Sequence, residues 1–170
     1  MKKIIIKNGI ISGLIASVFM VCSMAFLYRS EKAEGSMLLG YASMLVAFTF
    51  IFIGIKNYRD KNLEGKISFL KAFMIGIGIS TIASIMYVAA WGVEFHFFMP
   101  DFLERYTSAS IEKLQKSNLS TADLEAKIKE INDSKSLYES IFSFSLITFA
   151  EIFPVGLLIT SISALILKKK

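Results

Sequence analysis

Apolar residues in this chain are gathered into four long blocks separated by polar connections, and the blocks define the elements. Ile10 to Tyr28, Met37 to Ile55 and Phe69 to Gly92 carry no charge apart from Lys71. Ile141 to Leu167 carries one acid, Glu151, and one proline, Pro154. Each block has about 18 residues or more, enough to cross ~30 Å of hydrocarbon at ~1.5 Å per residue. The pattern predicts spans over residues 8–28, 37–55, 69–92 and 141–167. The fold class is therefore all-α: a four-helix transmembrane bundle forming one integral membrane domain over residues 1–170.

The connections differ in character. Arg29 to Ser36 is short and turn-like, so the first two spans should be antiparallel neighbours. Lys56 to Ile67 contains Asn57, Asn62 and Gly65 and reads as a compact loop. Residues 99–139 instead change to an amphipathic helical pattern, with Pro100 suited to a first turn and Phe102, Leu103, Tyr106, Ile111 and Leu114 near helical spacing. After a break at Ser117 and Asn118, Ser120 is a plausible N-cap with Asp123 three residues on, and Leu124, Ile128 and Ile131 align on one face. Two such helices form a hairpin outside the membrane with their apolar stripes facing each other; a stripe left open for a partner is the alternative.

Composition agrees with a bilayer protein. Apolar residues make up 54% of the chain with a mean hydropathy of +0.57, against roughly 45–50% apolar in ordinary soluble domains. Net charge is +5, and its placement matters more than its size. Eleven bases flank the blocks at the N-terminus, at Lys56 to Lys71 and at Lys168 to Lys170, facing only Asp60 and Glu64. The other two connections together carry eight bases and ten acids. The positive-inside rule then puts both termini and the middle loop in the cytoplasm and residues 99–139 outside it, in the periplasm of a bacterial inner membrane. With the lysines used by topology, no basic face remains for nucleic acid. The first block is too long for a signal peptide, and Cys22, the lone cysteine, reads as a buried apolar filler.

Small residues recur every four positions at Gly9, Gly13 and Ser17, at Ala72, Gly76, Ser80 and Ser84, and at Gly156, Thr160 and Ala164. Helices in lipid associate by close approach, so such ridges serve a tight bundle or self-association, and spacing does not separate the two.

Few residues can carry chemistry. Glu151 lies ten residues into the fourth block, roughly 15 Å down and near the midplane, where a carboxylate is costly. Its cheapest state is a neutral acid bonded to a hydroxyl, and Ser43, Ser84 and Tyr87 stand at similar depth. Pro154 cannot donate to the Ala150 carbonyl, which leaves a kink and a free acceptor beside the acid. Such a site suits a proton, an ion or a ligand, or else it is an acid satisfied within the bundle. Glu94 and His96 lie about 37 Å along the third helix, at the outer interface, with Trp91, Phe95, Phe97 and Phe98 as an aromatic belt. With one histidine and no other cysteine than Cys22, metal binding is poorly supported. No triad, phosphate loop or cofactor motif is present.

Several strings taken in order, MLLGYASMLVAFTFIFIGIKNYRDKN, SFLKAFMIGIGISTIASIMYVAAW, FMPDFLERY and EIFPVGLLITSISALILKKK, resemble the domain of unknown function 4199 family of bacterial membrane proteins, over essentially the whole chain. The resemblance implies the four-span plan and supplies no activity or catalytic residue. Its EIFPVG string falls on Glu151 to Gly156 and its Lys-Ala-Phe string on Lys71 to Phe73. The leading functional expectation is a non-enzymatic membrane protein acting through contact with another membrane protein or with itself. The runner-up is a carrier or ligand-binding bundle built on Glu151; an enzyme acting on lipid comes third.

Overall fold

A computed structural model of the chain describes residues 1–29, 37–117 and 119–169, with the backbone alone for residues 37–39 and 139. The predicted turn over residues 30–36, Asn118 of the expected break, and Lys170 lie outside the described residues. The helices are α1 (Lys2–Arg29), α2 (Met37–Asn62), α3 (Phe69–Val93), α4 (Phe102–Gln115), α5 (Thr121–Glu139) and α6 (Ile141–Leu167), with one π-helical turn, Glu94–Phe98, continuing α3. Among the described residues there is no strand, only an isolated antiparallel pair between Ile67 and Lys169. Four helices, α1, α2, α3 and α6, are long and apolar enough to cross a membrane, as the block pattern predicts.

Element ends follow local chemistry. Past Ile55, the polar run Lys56–Asn62 contains no breaker, so α2 continues through it and the predicted loop shrinks to a turn. That helix stops where Glu64 and Gly65 take left-handed φ angles of 50° and 81°, a geometry only glycine adopts without steric cost. The Ser68 hydroxyl accepts from the Lys71 N–H to cap α3. Ser120 caps α5 in the same way, accepting from the Asp123 N–H at 3.2 Å while its hydroxyl donates to the Asp123 carboxylate at 2.6 Å. Pro100 lies in the turn before α4 rather than in its first helical turn.

The spans close into a ring in which α3 lies between α1 and α6, and α2 packs against α1 and α6 on the other side. The small-residue ridges are what bring them together. Gly9 and Gly13 face α3 so closely that a Cβ at either would fall within 2.9 Å of Ile82 or Met86. A Cβ at Gly76 would sit 2.5 Å from Thr160 Cγ2, and one at Gly156 would sit 2.9 Å from Ser80 Oγ. Across this contact the hydroxyls of Ser80 and Thr160 are 3.2 Å apart and bonded, and Ser12 donates to the Ala47 carbonyl at 2.8 Å. The ridges are thus consumed inside the bundle. Around them Phe48, Ile51, Ile55, Ile75, Ile79 and Ile152 form a fully buried apolar core.

Cys22 departs from its expected role: it is exposed. It follows Ser17 by five residues, which turns it about 140° away from the ridge that α1 presents to α3.

Both termini share one end of the bundle with the α2–α3 turn. Ile67 and Lys169 exchange two backbone hydrogen bonds of 2.9 Å, Arg59 donates to the Leu167 carbonyl, and Ile5 packs over Gly78. The opposite end carries α4 and α5, which pack on each other; Leu114, Leu124, Ile128 and Ile131 of these helices are half-buried.

Candidate functional site

The residues singled out on α6 lie on its outer side. Glu151 is exposed, as are Ala150 and Pro154, because α6 buries Thr148, Ile152, Gly156, Thr160, Ser163 and Ala164 instead. Nine residues separate Glu151 from Thr160, roughly two and a half turns, so the acid is diametrically opposed to the ridge. Among the described residues Glu151 makes no hydrogen bond and no ion pair, although Tyr87 and Tyr138 lie near it.

The hydroxyls expected beside it are placed elsewhere. Ser43 donates to the Gly40 carbonyl of its own helix at 2.6 Å. Ser84 is fully buried on α3, its Oγ without a partner among the described residues, and Tyr87 is half-buried. These groups do not converge on Glu151 as a single internal site. What remains together is an outward-facing patch in which the acid directly follows Ala150, the residue whose carbonyl Pro154 leaves without a donor.

At the other end of α3 the aromatic residues form a cluster rather than a plain belt. Trp91 meets Phe95 at 5.5 Å and, edge-on, Phe102 at 5.7 Å; Phe144 of α6 lies 5.0 Å from Phe95, and Tyr138 of α5 lies 5.9 Å from Phe144. These contacts tie the hairpin to the bundle, while Phe97 and Phe98 are 78% and 70% exposed. Burial in this cluster pushes the Tyr138 hydroxyl above its ordinary range.

The π-helical turn separates Glu94 from His96. Sequence depth places both at the interface; the structure turns Glu94 inward to 5% exposure and leaves His96 exposed, with Nδ1 bonded to the Gly92 carbonyl at 2.9 Å. Eighteen residues, about five full turns, separate Glu94 from the buried Gly76, so the phase of α3 itself carries the acid onto its packed side. Glu94 Oε2 has no hydrogen-bond partner among the described residues. Beside it runs a groove of about 680 Å³ between α1 and α3, lined by Val21, Ala25, Tyr28, Arg29, Val93 and Glu94 among others.

A polar latch closes over this end. The Tyr28 hydroxyl donates to the Asp101 carboxylate, holding that acid below its usual range, with the Arg105 charge acting in the same direction. Arg105 also donates to the Tyr28 carbonyl at 3.1 Å and stacks its guanidinium 4.9 Å over the Tyr28 ring.

The family profile described as "Protein of unknown function (DUF4199)" matches residues 7–169, nearly the whole chain, and so takes in all four spans, the hairpin and both acids. The chain belongs to the DUF4199 family. No match is found among the curated proteins or among the solved structures. DUF4199 membership therefore covers Glu94 and Glu151 without assigning a role to either, and what they do has to be argued from their chemistry.

Proposed function

We propose that this DUF4199 protein is a non-enzymatic membrane protein that acts by contact within the bilayer, through the outward face of α6, and that the contact is with a second copy of itself. The observation that carries this reading is the exposed Glu151 on a span-length helix. A carboxyl group facing hydrocarbon costs a few kcal/mol by insertion scales, so a partner that covers it gains that energy. A neutral carboxylic acid is both donor and acceptor and thus complements its own copy across a two-fold axis. The Ala150 carbonyl freed by Pro154 offers a further acceptor on the same face. The small-residue ridges, already occupied within the bundle, are not available for this purpose.

The reading includes an orientation. Lysine placement supports termini on the cytoplasmic side of a bacterial inner membrane and the α4–α5 hairpin on the periplasmic side.

Leu158 is exposed on the same face, two turns past Glu151, and offers the test. A photo-crosslinking residue at position 158 should join two differently tagged copies in native membranes. Glu151→Leu should abolish that product and Glu151→Gln should retain most of it, since an amide also donates and accepts. Adducts to lipid alone, or a product indifferent to Glu151→Leu, would refute the contact reading.

A further inference from the structure

The groove beside Glu94 carries a separate inference. Glu94 is 5% exposed, has a carboxylate oxygen without a partner among the described residues, and lines a groove of about 680 Å³. Burying a carboxyl without a hydrogen-bond donor is costly, and nothing else on α1, α3 or the π-helical turn supplies one. Apart from Tyr28 and Arg29 the rest of the wall is apolar: Val21 and Ala25 come from α1, Ala90 and Val93 from α3, and Phe98 from the π-helical turn. Arg29 lines the same groove and makes no ion pair with Glu94. The groove therefore holds an acid and a base that are not paired with each other, beside apolar side chains from two helices. Its place at the hairpin end of the helices is the depth at which lipid headgroups lie.

We propose that this groove binds an amine-headed phospholipid of the phosphoethanolamine class. The ammonium group donates its N–H bonds to Glu94, the phosphate faces Arg29, and an acyl chain follows Val21, Ala25 and Val93. An ammonium has three donors for the unsatisfied carboxylate, whereas the quaternary nitrogen of a choline head has none. The guanidinium of Arg29 is a natural complement to a phosphate.

The test uses the full-length protein in detergent micelles. The probes are dihexanoyl phosphatidylethanolamine, dihexanoyl phosphatidylcholine, dodecylamine and free O-phosphoethanolamine. The ethanolamine lipid should bind about tenfold more tightly than the choline lipid, equivalent to roughly one charge-assisted hydrogen bond. Glu94→Gln should bring that ratio close to one. Arg29→Gln should weaken the lipid while leaving dodecylamine unchanged. Equal binding of the two lipids by the unaltered protein overturns the proposal, as does a preference that survives Glu94→Gln. Free O-phosphoethanolamine binding as tightly as the lipid overturns it too, because the apolar wall would then have no part. Should Glu94→Gln fail to fold, Ala25→Phe fills the groove from α1 without touching the acid, and undiminished lipid binding by that variant is equally fatal.

Discussion

Adding a single methyl group at Gly76 tests whether the bundle is held by close approach of α3 and α6. An alanine Cβ there would lie 2.5 Å from Thr160 Cγ2 and 2.8 Å from its Oγ1, and β-branched Thr160 cannot swing away because Ser80 bonds it at 3.2 Å. Relief requires the helices to part, and forced overpacking of this kind costs about 1–3 kcal/mol. Weakening the Ser80–Thr160 bond adds about 0.6 kcal/mol, while the better helix propensity of alanine returns about 0.5–1 kcal/mol. A net loss of about 0.6–3 kcal/mol lowers the melting temperature of a chain this size by roughly 1–12 °C. The control is Gly92→Ala on the same helix, where the new Cβ meets only Phe144 Cε1 at an ordinary 3.6 Å. That variant should melt at or slightly above the parent temperature. Thermal unfolding in detergent, followed by circular dichroism and by fluorescence of Trp91, reads both. Gly76→Ala melting as high as Gly92→Ala would refute ridge packing as the origin of stability.

Three further outcomes are expected. Phe144, 1% exposed at the centre of the aromatic cluster, should cost about 3–5 kcal/mol when changed to Ala, and the Trp91 emission should shift as its neighbour is lost. Ser120→Ala removes the α5 cap and should cost about 0.5–2 kcal/mol, read as faster hydrogen exchange over residues 121–125 with the spans unaffected. The latch should be acid-sensitive: Asp101 is held below its ordinary value, so its contribution is complete above the unfolded value and is lost as pH falls through the lower folded one. Proteolysis of α4 should therefore rise only below about pH 4, and Tyr28→Phe should make it high and nearly pH-independent.

The spans, the capped α5 and the ridges were legible because each has a signal that survives without tertiary context: block length, a Ser120–Asp123 pair, a four-residue recurrence. Which way a span faces was harder. A helix that is apolar on every side gives no amphipathic stripe, so Glu151 was expected to point inward, toward the hydroxyls at its depth. A usable signal was nevertheless there, since Gly156, Thr160 and Ala164 define the packed side of α6 and Glu151 lies half a circle from it. Cys22 could have been turned outward by the same phase count from Ser17. Glu94 could have been turned inward by that count too, since it lies eighteen residues, about five full turns, from Gly76 on the packed side of α3. The α2 end was missed because hydropathy marks where hydrocarbon stops, and a helix continues into water until something such as Gly65 breaks it.

The bridge between Ile67 and Lys169 joins positions on opposite sides of more than half the chain, and α6 is synthesised after α1, α2 and α3. During synthesis α1, α2 and α3 must enter the bilayer while the Thr160 side of their seat is vacant, leaving the Ser80 hydroxyl turned toward lipid chains. Arrival of α6 covers that hydroxyl, and pairing of Lys169 with Ile67 then fastens the end of α6 to the turn between α2 and α3, which makes this strap a report that the four helices have come together.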